Sequence, residues 1–174
     1  MLLALLLASP ANAATLAGVT LADTATVNGT PTTLNGLGLR EKFFVDIYVG
    51  GLYLAHPTHD GATAAGADEA KRMVMHFVYK VTKDQMKESF TEGFASSPGA
   101  TASEIATLEA MLPDSISVGQ EVVIDYAPGV GTSISIAGAK KGTIPGVPFM
   151  KALFGIYVGS KPPTEDLKKG LLGT

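Results

Sequence analysis

Residues 35–55 read NGLGLREKFFVDIYVGGLYLA, and how this stretch divides decides the fold. Gly36-Leu37-Gly38 reads as a glycine-rich turn. REKFFVDIYV and GLYLA then read as one long extended run, bent or bulged at Gly50-Gly51. The glycines do not make a dinucleotide fingerprint, because the third glycine is missing and a strand pattern follows where a helix should start. Arg40 admits two readings. Its stem can pack while its guanidinium reaches water or an acid. Alternatively, its fork faces a mostly apolar cavity and holds a carboxylate or phenolate.

Working outward, TATVNGTPTTL (24–34) centres on Asn28-Gly29, a strong hairpin signal because both residues tolerate positive φ. RMVMHFVYKV (72–81) is rich in β-branched and aromatic residues and predicts another strand, with Arg72, His76 and Lys80 on its polar face. Between these strands, HDGATAAGADEA (59–70) reads as a mobile loop. The period then changes. Thr82 and Gln85 form a capping box, with Val81 and Met86 placed as a hydrophobic staple. Met86, Phe90 and Phe94 follow at helical spacing as one apolar stripe. Thr101 and Glu104 repeat the box before Ile105, Leu108, Met111 and Leu112, and Pro113 closes that helix.

Strand alternation returns in QEVVIDYAPGVGTSISIAG, whose central APGVG predicts an antiparallel hairpin. Phe149, Met150, Leu153, Phe154 and Tyr157 predict a third helix. Beyond Pro162-Pro163, Thr164 can cap a last short helix with acids first and lysines late. Antiparallel strands with helices inserted and appended define an α+β domain.

The chain opens MLLALLLASPANAA, an apolar run ending in an A-x-A site, so residues 1–13 read as a signal peptide whose basic n-region is missing or truncated. That leaves 14–174 as a single domain, expected in the periplasm or secreted, with no transmembrane segment in the mature chain. None of the 174 residues is cysteine, which excludes thiol nucleophiles and thiolate metal sites. A net charge of -3 gives no polybasic surface, so nucleic-acid or anionic-membrane binding has little electrostatic support. No GxSxG elbow is present. His56, His59 and Asp60 sit in a proline-interrupted loop that lacks a defined fourth ligand, so no metal is expected, and no cofactor motif appears.

Four blocks, GLGLREKFFVDIYVGGLYL, VTKDQMKESFTEGF, GQEVVIDYAPGVGTSISIAG and FMKALFGIYVGSKPPTEDLKKGLLG, together resemble the bacterial chalcone isomerase-like proteins, many of them exported. The likeness spans roughly residues 16–173 and keeps the family's block order. It implies an open-faced β-sandwich, a large antiparallel sheet covered on one face by helices with a ligand cleft between. In the plant isomerases the arginine corresponding to Arg40 steers a substrate oxyanion during flavanone ring closure. The resemblance places the family's strand threonine at or beside Tyr48, its helix tyrosine on Met86 and its asparagine on Gly93, so three polar partners are changed. Losing one transition-state donor typically costs about 3 kcal/mol. Non-catalytic fatty-acid-binding relatives grip a carboxylate with an arginine and a tyrosine. The expectation is therefore non-catalytic binding of a small amphiphilic or aromatic anion, such as a fatty acid. Arg40 is the anchor, Tyr48 its hydroxyl partner, and Met86, Phe90 and Phe94 form the apolar wall. The alternatives are an intramolecular lyase converting a chalcone to a flavanone, or a partner-binding structural protein.

Overall fold

The computed structural model describes residues 13–174, so the expected leader lies outside the described residues except for Ala13, which opens strand β1 (Ala13–Leu16). β1 pairs with β2 (Val19–Ala22) as a small antiparallel hairpin. β3 (Thr24–Val27) and β4 (Thr30–Lys42) flank Asn28-Gly29, both at positive φ as a type I′ hairpin demands.

The next hairpin corrects the reading of 40–49 as one extended run. The chain reverses at Phe43-Phe44, and Lys42 stands opposite Val45, the first residue of β5 (Val45–Leu54). Gly50-Gly51 produces no bend, since the pair continues the ladder opposite Gly38 and Leu37. The irregularities fall at Asn35 and Ile47, the residues skipped in the β4–β5 register. Asn35 uses its place out of the ladder: its side-chain amide donates to the carbonyls of Thr58 (3.0 Å) and Leu171 (2.9 Å).

Residues 59–70 also differ from expectation. They hold a short helix, α1 (Gly61–Gly66), where a mobile loop was anticipated. Asp60 caps it by accepting from the Thr63 amide at 2.7 Å. A Cβ on Gly61 would meet the Val158 carbonyl oxygen at 2.2 Å, so small residues here serve close packing on a later helix. After β6 (Lys71–Phe77) and the short β7 (Val81–Thr82) come α2 (Lys83–Ser96) and α3 (Ala102–Ala110). Both begin with the predicted capping boxes, closed in both directions. β8 (Ser115–Ile116) pairs with β7. β9 (Glu121–Ala127) and β10 (Gly131–Ile136) form the predicted hairpin, and β11 (Ala139–Ile144) adds a strand. α4 (Val147–Val158) and α5 (Glu165–Leu172) complete the chain.

Seven strands make one antiparallel sheet in the order β11-β10-β9-β6-β5-β4-β3. Its inner face carries Tyr48, Leu52, Met73, Met75, Val122 and Ile124 into the main core beneath the helices. The opposite face carries Val49, Tyr53 and Val74 against Val19 and Leu21 of the β1–β2 hairpin. Outward polar residues on that second face pair across strands: Arg72 grips Asp125 with bonds of 2.6 and 2.7 Å, and His76 meets Glu121 at 3.0 Å.

Close backbone contact fixes α5 on the sheet. A Cβ on Gly36 would lie 2.1 Å from the Gly170 carbonyl oxygen, and one on Gly38 2.3 Å from that of Leu167. The GLG motif is therefore strand, not turn, and its glycines exist to admit a helix backbone. α4 is apolar nearly all round because it is buried on nearly every side.

Candidate functional site

Period-two alternation puts Arg40, Gly38 and Gly36 of β4 on the inner face, in register with Tyr48, Gly50 and Leu52 of β5. Arg40 and Tyr48 are direct cross-strand neighbours, and Tyr48 continues the row to Phe77 of β6. The Tyr48 and Phe77 rings pack with centroids 5.4 Å apart. The skipped Ile47 lies just beyond Tyr48 toward the hairpin tip, so the tyrosine keeps its inward face.

This row floors a cavity of about 580 Å³ between the open end of the sheet, α2, α4 and residues 161–163. The size suits a small ligand. Met75, Phe77, Val122, Met86, Phe90 and Ile156 supply apolar wall. Of the residues expected at the site, Arg40, Tyr48, Met86 and Phe90 all line this cavity. Phe94 does not: one turn further along α2 it is buried between Phe90 and Phe149, with ring centroids 6.2 and 6.0 Å away. The helix stripe rotates from cavity to core within one turn, which its spacing alone could not reveal.

Tyr157 is the lining residue that the pattern hid. On α4 it belongs to a stripe read as core, yet it faces the cavity opposite the sheet. Burial pushes both phenols well above the ordinary range; Arg40 pulls Tyr48 slightly back, and Tyr48 pushes Tyr157 further up. Both therefore stay neutral hydroxyl donors at any physiological pH. Among the described residues neither hydroxyl has a hydrogen-bond partner in the protein. Arg40 is half-buried and uses one guanidinium nitrogen on the Glu41 carbonyl. No carboxylate among the described residues pairs with it. The Arg40 guanidinium and two neutral hydroxyls, on a mostly apolar cavity whose lining also includes Lys42 and Lys161, are groups able to accept an anionic head on an apolar body.

Two of the three altered positions, Met86 and Gly93, also have a physical account. Met86 is a buried thioether in the wall. At Gly93 of α2 a Cβ would meet Ile156 Cγ2 of α4 at 2.7 Å, so an asparagine there would require Ile156 to move. The loop histidines are occupied separately. His56 pairs with Glu69 at 2.5 Å, His59 Nδ1 lies 2.5 Å from the Leu172 carbonyl, and Asp60 caps α1. Accordingly, the described residues contain no cluster of three metal-ligating side chains. No described helix is long and apolar enough to cross a membrane.

One buried charge lies outside the cavity. Lys71, fully buried, donates from Nζ to the Ala64 carbonyl at 2.7 Å and sits 5.5 Å from the Phe154 ring centroid. It closes the C-terminal end of α1, and burial pushes its pKa down to about 8 against the pull of Glu69 and Asp68.

A large antiparallel sheet curled against helices, with a ligand-sized cavity at its open end, defines the class to which this molecule belongs. The sequence matches the family described as chalcone isomerase-like over residues 13–173, and the chain belongs to that family. Among solved structures it is similar to a fatty-acid binding protein of Arabidopsis thaliana, with a TM-score of 0.75 and 15% identity over 92% of this chain and 96% of that one. At such identity the likeness is one of fold. No curated protein matches the sequence.

Proposed function

We propose that the protein binds a small amphiphilic anion, a fatty acid being the best fit, without turning it over. The head group sits on Arg40, Tyr48 and Tyr157, and the chain lies along Met86, Phe90 and their neighbours. The carrying observation is the convergence of an arginine without a carboxylate partner and two phenols without protein partners on one end of an apolar cavity. Each keeps hydrogen-bonding capacity that the protein does not use and that the cavity leaves open to a ligand's oxygens. The similar Arabidopsis protein is itself described as fatty-acid binding, which supports the same ligand class here. Binding is favoured over flavanone formation because Met86 offers no hydroxyl and Gly93 no side chain where the isomerases place polar donors. The leader-like N-terminus supports export, and the resemblance to exported bacterial relatives makes the periplasm the natural compartment.

Native mass spectrometry of the protein from its own host, before and after denaturing extraction, tests this directly. The expected result is a released carboxylic amphiphile from wild type, with occupancy reduced roughly tenfold or more in Arg40→Ala, the scale of a lost charge-assisted bond. Recovery of no small molecule, or equal occupancy in a folded Arg40→Ala protein, overturns the reading. Acceleration of hydroxychalcone closure abolished by the same substitution would establish the isomerase instead.

A further inference from the structure

We infer that the Phe43-Phe44 hairpin tip inserts into the surface of a phospholipid bilayer, so that the mouth of the cavity opens onto lipid. Four two-residue turns among the described residues hold both positions at positive φ: Ala17-Gly18, Asn28-Gly29, Phe43-Phe44 and Ala137-Gly138. Three of them put glycine second, where the missing Cβ removes the steric conflict. Phe43 and Phe44, at φ of +52° and +63°, put two bulky side chains into the left-handed region. The same fold makes this turn elsewhere with undemanding residues, so turn geometry does not account for the phenylalanines. Packing does not account for them either, since they are 85% and 97% exposed.

Their position supplies the reason. Phe43 and Val45 line the cavity mouth, which makes tip and cavity one continuous apolar surface. Lys42 at the base of the tip and Lys161 across the mouth set ammonium groups beside it, and Lys42 Nζ lies 5.8 Å from the Phe43 ring centroid. Tyr79, half-exposed on the same rim, is the kind of amphipathic ring that settles at headgroup depth. Acids share the rim: Glu88 and Glu92 line it from α2, and Glu41 stands opposite Asp46 beside the tip, in the strand register one step from Arg40 and hence on the outer face, so the apolar tip rather than net charge carries the contact. Two side chains on a convex tip fall far short of the roughly 800 Å² per partner that a stable protein interface needs. A bilayer accepts a narrow apolar wedge with flanking cations. The inference rests on the amphiphile reading for its purpose, but the two have separate readouts.

The test is co-sedimentation with vesicles of phosphatidylethanolamine and phosphatidylglycerol, with dissolved cis-parinaric acid binding measured on the same preparations. The variant is Phe44→Gly, which gives the turn its preferred second residue and leaves Phe43, a cavity-lining side chain, in place. Wild type is expected to partition onto vesicles, the variant to lose about tenfold or more of that partitioning, and both to bind dissolved parinarate alike. Failure of wild type to bind vesicles, or equal partitioning by the variant, overturns the membrane inference. A wild-type dimer in sedimentation that dissociates in the variant would assign the tip to self-association and overturn it equally. Vesicle binding without parinarate binding would leave the tip's role standing and refute the cavity's.

Discussion

Replacing Tyr48 or Tyr157 by phenylalanine removes one oxygen and little else, and its consequences for folding and for binding should have opposite characters. In the folded protein neither hydroxyl is bonded to another protein group, so Tyr48→Phe and Tyr157→Phe break no internal hydrogen bond. Each ring keeps its buried packing. Unfolding stability is therefore expected to stay within about 0.5 kcal/mol of wild type, because no protein hydrogen bond is lost. Binding loses a neutral donor to a carboxylate, a bond worth about 1.5–3 kcal/mol, or roughly 10- to 150-fold in Kd. Because the proposed site aims both phenols at one head group, the double variant is expected to be non-additive. Urea unfolding measures the first effect, and displacement of cis-parinaric acid by a fatty acid the second. A fatty alcohol of equal length serves as control, since without the carboxylate the variants and wild type should differ far less. A loss of more than about 1 kcal/mol in stability would show that the hydroxyls are structural. Unchanged fatty-acid affinity in folded variants would remove them from the site.

Two further perturbations test the frame around the cavity. Gly38→Ala sets a methyl 2.3 Å from the Leu167 carbonyl oxygen, which α5 can relieve only by moving about 1 Å. A destabilisation of about 3 kcal/mol is expected by urea unfolding, whereas Gly66→Ala, with nothing within 4 Å, should stay within about 0.5 kcal/mol. Lys71→Met tests the buried amine through pH. With the folded pKa near 8 and the unfolded near 10.5, the unfolded chain binds more protons between those values, so wild-type stability should rise with pH from about 8. The full difference corresponds to about 3 kcal/mol. Above pH 10 the raised pKa values of Tyr48, Tyr126 and Tyr157 act in the opposite sense and stability falls. Lys71→Met should flatten the rise between about pH 8 and 10 in denaturation midpoints and leave the alkaline fall intact.

Much of this architecture could be read from local chemistry. Capping boxes at Thr82 and Thr101 located two helices because the reciprocal bonds that close them lie within four residues. Asn28-Gly29 located a hairpin for the same reason. Phe43-Phe44 defeated the same logic, since nothing in phenylalanine's own preferences marks a type I′ turn. β11 was missed because its sequence, AKKGTI, has little apolar alternation, and as an edge strand it is mostly exposed on both faces. α1 was hidden by its composition: glycine and alanine look like a linker until a second helix is seen to need their smallness. At the site, Arg40 and Tyr48 become legible as a pair only through the register that sets them opposite one another. Tyr157 depends on which way a uniformly apolar helix is turned, which no periodicity can state. Lys71 did leave a signal, because it shares its alternation class with Met73, Met75 and Phe77.

The contact between β4 and α5 also bears on how the molecule breathes. Helices usually rest on sheets through a layer of side chains that can slide and change rotamer. Here, at Gly36, Gly38 and Gly170, backbone meets backbone and nothing is left to yield. Amide exchange along α5 and the centre of β4 should therefore require opening on the scale of global unfolding. α2, with only partly buried residues between Met86 and Phe94, has no comparable clamp. Opening of the cavity is thereby confined to one side: the sheet, pinned by α5, stays fixed, and α2 is the wall that gives.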